Sequence, residues 1–367
     1  MLTISRIEVF KYDIPLKAPI AISLGVIEHA RNLLVRMHTT DGLTGWGEGS
    51  PFWMIVGETQ ETGFAAARDL ARLLVGRDAL DIEGNLQKLD AYLPGNPTVK
   101  SAFDMALYDL AAQAAGLPLY AFLGGAKHRL VTDETIYLNP PERMVEDALR
   151  IREQGGIAIK VKLGTHAKDD IRRVEAIREA VGEAIPIRTD ANQGWDYVTA
   201  VQVLKTIQDW NVQYCEQPVK HWALPDLKRI RRRTTVPLMA DESLFRPRDG
   251  LRLVQEEAVD YFNIKLSKSG GIYNALKINA IAESAGIPCM IGCMSESRLA
   301  ITANAHFASA RRNVIFYDLD APFEHAEDPV TGGVTYHGYE IELPDTPGIG
   351  AGCDETYLKG AEKLEIR

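Results

Sequence analysis

IPIRTD (residues 185–190), VQYCE (212–216) and VPLMAD (236–241) are three short apolar runs that each end on a carboxylate. Asp190, Glu216 and Asp241 stand 26 and 25 residues apart, and amphipathic stretches separate them. That interval is the length of one βα unit. The same order continues on both sides. Strands are expected at Val131–Leu138, Ile157–Lys162, Val259–Lys265, Ile287–Cys293 and Asn313–Asp318, with helices such as Glu142–Gln154, Asp169–Val181 and Gly271–Ala285 between them. Eight strands at near-constant spacing predict an α/β architecture, a modified (β/α)8 TIM barrel over residues 126–339. A doubly wound open sheet is the alternative. It would carry a Gly-rich phosphate loop after its first strand. The nearest match, Gly348-Ile-Gly350-Ala-Gly352, has no helix after it and reads as a turn.

Upstream, residues 1–125 follow a different rule. Ile4 to Tyr12 and Asn32 to Thr39 alternate apolar and polar residues, and Asp41-Gly42 turns the chain into a further strand, Leu43 to Glu48. From Thr59 to about Gly116 the period becomes helical, with Ala65, Leu70, Leu73 and Leu74 on one apolar face and Ala102, Met105, Ala106 and Leu110 on another. Strands followed by helices predict a small α+β domain ending near Gly124-Gly125, with residues 340–367 packing back on it.

The 367 residues are 46% hydrophobic and 25% charged, the balance of a soluble globular protein. A formal net charge of −9 argues against nucleic acid as a partner. The one dense basic run, Lys228 to Arg233, reads as a solvated helix end. No apolar run approaches the roughly 20 residues of a membrane span. The N-terminus alternates like a strand and lacks the apolar core of a signal peptide. The four cysteines, Cys215, Cys289, Cys293 and Cys353, form no C-x-x-C pair and are expected as buried free thiols in the cytoplasm.

Six of the eight expected barrel strands finish on a charge: Lys162, Asp190, Glu216, Asp241, Lys265 and Asp318. One such ending could be a strand running into solvent, but a charge in a packed strand costs several kcal/mol unless paired or coordinated. In a parallel barrel all these ends meet at one mouth. Three carboxylates converging there need a cation, and hard oxygen donors suit Mg²⁺ or Mn²⁺ better than zinc, which prefers His or Cys. Lys160 and Lys162 share a strand face, and Lys265 closes a later strand. Beside other cations and a divalent metal, a lysine pKa is expected to fall from about 10.4 toward neutrality, where lysine can act as a base. The predicted chemistry is proton transfer next to a metal-bound carboxylate, with Lys162 and Lys265 attacking from opposite faces and Lys160 steadying the enediolate. The bland reading is that these lysines only balance the acids.

At these residues the chain resembles the enolase superfamily, and within it the muconate-lactonising subgroup. The matching motifs are Lys160-Val-Lys162, Asp190-Ala-Asn-Gln-Gly-Trp195, Glu216-Gln-Pro218, Ala240-Asp241-Glu242-Ser243 and Asn263-Ile-Lys265 with Gly270-Gly271, plus Gly45-Trp46-Gly47-Glu48 upstream. The resemblance spans nearly the whole chain. It implies one Mg²⁺ per subunit on Asp190, Glu216 and Asp241, with Mn²⁺ able to substitute, and Lys162 and Lys265 as catalytic bases. Tyr317-Asp318-Leu-Asp320 looks like the Asp-x-Asp of dipeptide epimerases, where the pair receives the free ammonium of a dipeptide. The same resemblance implies substrate contacts at Thr135, Lys160, Cys293 and Ser295. The loop Ala18–Glu28, with Leu24, and the segment Pro51–Gly57, with Phe52 and Trp53, are expected to close over the mouth and set specificity. Family members that take L-Ala-D-Glu carry an arginine in the first loop. None occurs here, which points to hydrophobic or uncharged C-terminal residues in the dipeptide.

Other readings stay open at this level. A muconate-type cycloisomerase, an N-acylamino acid racemase and an o-succinylbenzoate synthase use the same scaffold, metal and lysines. Only the Asp318/Asp320 pair distinguishes a dipeptide epimerase from them. A non-catalytic metal-dependent binding protein is the reading from another class, and homo-oligomerisation is compatible with all of these.

Overall fold

A computed structural model describes residues 1–367. The chain opens as an antiparallel sheet of long strands, Ile4–Ile22, Gly25–Thr39 and Thr44–Gly49. The C-terminal strand Lys363–Ile366 returns to pair with the first of them, Ile7 opposite Ile366. The first two strands run well past the stretches of clean alternation. They continue into a hairpin closed by Ser23-Leu24, with Ile20 opposite Ile27 and Ile22 opposite Gly25. The expected loop Ala18–Glu28 is therefore mostly a β-hairpin. The apolar residues Ile20, Ile22 and Ile27 stabilise it by burying together with Phe52. Pro51–Gly57 likewise contains a short helix, Trp53–Val56.

The sheet docks on the helix Pro97–Ala114 through three alternate glycines. A Cβ at Gly45, Gly47 or Gly49 would meet the backbone oxygen of Ala106, Ala102 or Thr98 at 2.5, 2.0 and 2.4 Å. Two strand residues rise about 6.6–6.8 Å and four helix residues about 6 Å, so the two periods run nearly in step. Only glycine permits that approach.

The second body is a sheet of eight parallel strands in sequence order: Glu134–Ile136, Ile159–Lys162, Ile187–Asp190, Val212–Glu216, Leu238–Ala240, Tyr261–Ile264, Cys289–Ile291 and Val314–Tyr317. It curls until the Asp133 N–H donates to Tyr317 O, 3.2 Å across the seam of first and last strands. The first strand is shorter than the expected Val131–Leu138. Leu130-Val131 instead pairs antiparallel with Glu340–Glu342. No long helix follows the eighth strand, which leads into the 3-10 turn Ala321–Glu324. This is the modification of the barrel. The basic run lies in the last turn of the helix Leu224–Arg231 and just beyond, where Arg231 pairs with Asp260. All four cysteines are buried and free.

Candidate active site

Strand register builds the site in layers. Lys162, Asp190 and Glu216 are direct neighbours on strands two, three and four. Lys160, Arg188 and Tyr214 form the row beneath them, with Thr135 beside Lys160. Asp241 and Lys265 follow the ends of strands five and six. Tyr214, Met239 and Met290, packed by Tyr261 and Phe316, fill the floor with apolar bulk. The charged groups therefore sit between an apolar base and the capping sheet, and every one of them is buried.

The carboxylates are each turned to a lysine. Lys162 Nζ lies 2.7 Å from Asp190 Oδ2, and Lys265 Nζ lies 2.8 Å from Asp241 Oδ2. Lys160 Nζ sits between Asp318 Oδ2 at 2.6 Å and Glu216 Oε2 at 2.9 Å. Burial, with Asp190 alongside, pushes the Glu216 carboxyl up to about 7. Burial raises Asp241 too, but Lys265 and Lys268 outweigh it and hold that carboxyl below its usual range. The expected fall in lysine pKa does not come from the protein's own atoms. Burial alone pulls the Lys265 and Lys160 ammonium groups down, but the surrounding carboxylates outweigh it and hold both above the ordinary lysine range. A cation on those carboxylates would weaken that hold.

The donor set fits a hard divalent cation. Asp190, Glu216 and Asp241 offer only oxygen, and Glu216 Oε2, fully buried, has the Lys160 ammonium at 2.9 Å as its one polar partner. Glu242 Oε2 and Asn192 Oδ1 are buried beside them without partners, and Glu242 is pushed up to about 8 by burial and Asp241. A tighter cluster lies across the mouth. Cys293 Sγ and carboxylate oxygens of Asp318 and Asp320 fall within 4.8 Å of one another. Asp320 Oδ2 accepts the Thr135 N–H at 2.7 Å. Burial and Asp318 push the Asp320 carboxyl well above its usual range, and burial does the same to the Cys293 thiol.

The expected specificity residues divide into two sets. The hairpin tip latches onto the barrel, since Ser23 Oγ donates to Ala191 O and Asn192 O at 3.0 and 2.9 Å. Leu24 packs beside Phe52 in the apolar cluster over the mouth. Trp53 stacks on Phe52 with centroids 6.0 Å apart and stays 44% exposed. Ser295 is turned toward the cap. Its carbonyl accepts from Asn32 Nδ2 at 2.9 Å, and its N–H reaches Ser50 Oγ at 3.3 Å.

Three residues at the site were given no role from sequence, although Gln217 and Asn263 lie inside the matching motifs. Lys268 Nζ reaches Asp241 Oδ1, Asp241 O and Asn263 O at 2.5, 2.6 and 2.9 Å. Its signal was its place three residues beyond Lys265, one turn away on the short helix Leu266–Ser269. Gln217, at φ 34°, accepts the N–H groups of Asp241 and Ser243 and donates to Val219 O and Ser243 Oγ. Asn263 Nδ2 holds Glu216 Oε1 at 2.6 Å.

Comparison with known proteins places the whole chain in a family. Residues 5–124 match the family model of the mandelate racemase / muconate lactonizing enzyme N-terminal domain, and residues 143–357 match the enolase C-terminal domain-like model. A D-Ala-D/L-Ala epimerase of Cytophaga hutchinsonii is 46% identical over 365 residues, 99% of each chain. An L-Ala-D/L-Glu epimerase of Bacillus subtilis is 40% identical over 98% of this chain and 99% of its own. The crystal structure of a Cytophaga hutchinsonii dipeptide epimerase complexed with Mg and D-Ala-L-Val superposes with a TM-score of 0.98, at 46% identity and 100% coverage of both chains. The chain belongs to the enolase superfamily, in its mandelate racemase / muconate lactonizing enzyme family.

Proposed function

We propose that this protein is a dipeptide epimerase that inverts the α-carbon of the C-terminal residue of an L-Ala-Xaa-type dipeptide. The observation that carries the dipeptide is the buried Asp318/Asp320 pair, which lies across the mouth from Lys162 on strand two and Lys265 just past strand six, each lysine held by a different carboxylate. Lysines on opposite walls can address both faces of one α-carbon. One takes the proton from its face, and the other, as the ammonium, returns a proton to the opposite face. Lys160 pairs with the substrate carboxylate. Asp318 and Asp320 receive the free ammonium, with Thr135 orienting Asp320 through its N–H. Cys293 lines the same corner.

Asp190, Glu216 and Asp241 would hold one Mg²⁺, with Mn²⁺ able to replace it; the bound ion withdraws charge from the substrate carboxylate and acidifies the adjacent C–H. The Ile20, Ile22, Ile27 and Phe52 cluster, and the lack of an arginine in Ala18–Glu28, favour a hydrophobic or uncharged Xaa. The D-Ala-L-Val seen in a relative supports the same choice.

Turnover of Ala-Xaa dipeptides in heavy water, read by mass spectrometry, tests both parts. The epimer should carry one deuterium at the α-position of its C-terminal residue. Epimerisation without solvent deuterium would sink the two-lysine scheme, and best turnover on Ala-Glu would overturn the assignment of Xaa.

A further inference from the structure

A second, chemically different cavity lies on the outer side of the turn that follows Lys265. It measures about 530 Å³ and is walled by the helix Ile82–Tyr92, the loop Pro94–Pro97 and the starts of two helices, Pro97–Ala114 and Pro247–Glu256. Four cations line it, Lys100, Arg246, Arg248 and Lys277, against one carboxylate, Asp90. Asp90 is already used by Lys100, 2.6 Å away. Arg246, Arg248 and Lys277 have no acid within ion-pair distance, in a protein whose net charge is −9. Arg246 and Arg248 are exposed, and the helix dipoles at their positions favour an anion over a cation. Arg246 is the N-cap and Arg248 lies in the first turn of one helix, and Lys100 lies in the first turn of the other, all at the positive ends of helix dipoles. Lys277 is fixed with its ammonium 3.7 Å over the Tyr273 ring. Independently, Ser269 lines the same cavity, is 1% exposed, and its Oγ has no hydrogen-bond partner. A multivalent anion in the cleft would supply the acid that Arg246, Arg248 and Lys277 lack.

We propose that this cleft binds a small phosphate-bearing molecule. The volume suits a ligand of phosphate-ester size rather than a bare ion alone. The Ser269 N–H donates to Lys265 O at 3.0 Å, so the cleft and the catalytic mouth share one turn of chain.

Inorganic phosphate is the probe. Thermal denaturation of the full chain at constant ionic strength should show a saturable rise in midpoint with phosphate, beyond any rise with chloride. The R246A/R248A double variant should bind phosphate roughly tenfold more weakly or worse, and Ser269→Ala more weakly by a smaller factor. Both should keep the wild-type circular dichroism and basal turnover. A phosphate response no larger than chloride's would overturn the proposal, as would a double variant that binds like wild type. Concentration-dependent sedimentation of the wild type, abolished in the double variant with no phosphate effect, would assign the cleft to an acidic face of a second copy and overturn it too.

Discussion

Lys268 places an ammonium where no part of the residue is exposed, and it is held there by Asp241 and by two backbone carbonyls. Burial lowers its pKa, and Asp241 opposes that by favouring the charged form. Replacing it with an apolar side chain of similar length leaves the buried Asp241 Oδ1 and the Asn263 carbonyl without the Lys268 donor, while Asp241 O keeps the Leu244 N–H at 2.9 Å. Lys268→Met should therefore cost about 3–5 kcal/mol in urea denaturation, the range for breaking a buried pair from one side. A loss below about 1 kcal/mol would show that the ammonium is dispensable to the fold. Asp241 is the residue through which this matters for chemistry, because Lys265 holds its other oxygen. Lys162, Asp190, Glu216, Asp241 and Lys265 were all legible from sequence as charges closing apolar strands. Lys268 and Gln217 were not, since each acts through a side chain that crosses to a neighbouring strand end.

Among the elements, the strand Thr44–Gly49 shows how tightly the two bodies meet. One face is Gly45, Gly47 and Gly49 against a helix. The other presents Glu48, whose oxygens accept from Ser297 N, Ser297 Oγ, Ala300 N and Asn32 Nδ2 at 2.6–3.1 Å. Glu48 thereby caps the helix Arg298–Ala310 from across the interface. A methyl at Gly47 meets Ala102 O at 2.0 Å and Ala106 N at 2.8 Å, and both are backbone atoms that cannot rotate away. Gly47→Ala should destabilise the protein by about 1–3 kcal/mol or more, measured by chemical denaturation. A neutral effect would mean that sheet and helix are free to separate. The Gly45-Trp46-Gly47-Glu48 motif was readable, but its reason was not. Alternation in a strand says which residues share a face, and only the packed helix says why one face must lack side chains.

At the scale of the whole molecule, the two ends of the chain are tied by one acid. Glu8 on the first strand is 2.7 Å from Arg36, 2.9 Å from His38 and 2.9 Å from Lys363 on the last strand. Burial raises its pKa, but these hydrogen bonds outweigh it and bring the carboxyl down to about 2 from an ordinary 4.5. A depressed folded-state pKa stabilises above the unfolded value, and that stability disappears as pH falls. The thermal advantage of wild type over Glu8→Gln should therefore be full above pH 4.5 and fade between 4.5 and 2. An advantage unchanged down to pH 2 would exclude Glu8 as the acid-sensitive tie.

Metal linkage is the second whole-molecule expectation. Mg²⁺ should raise the thermal midpoint saturably in wild type, because an ion bound only by the folded state stabilises it by mass action. Glu216→Gln should abolish that rise. An equal rise in Glu216→Gln would move the ion to another set of acids, with Cys293, Asp318 and Asp320 the nearest candidate.

The barrel, its order of strands and the charges at their ends were determined by sequence alone, because apolar period, strand length and a charge closing each run are local properties. Asp318 was visible for the same reason, while Asp320 and the pairing of the two rested on the resemblance to dipeptide epimerases. Tertiary structure decided the rest. It showed the first loop as a latched hairpin, because Ile20, Ile22 and Ile27 gain their partner Phe52 only when distant segments meet. It turned Ser295 toward the cap, and it showed that the protein's own carboxylates hold Lys160 and Lys265 above the ordinary lysine range, so that the expected fall depends on the metal. Proximity in the sequence says that lysines and carboxylates share a mouth. The sign of each shift depends on ångström-scale distances in a dry interior, where a carboxylate 2.8 Å from Lys265 outweighs the cost of burying the charge.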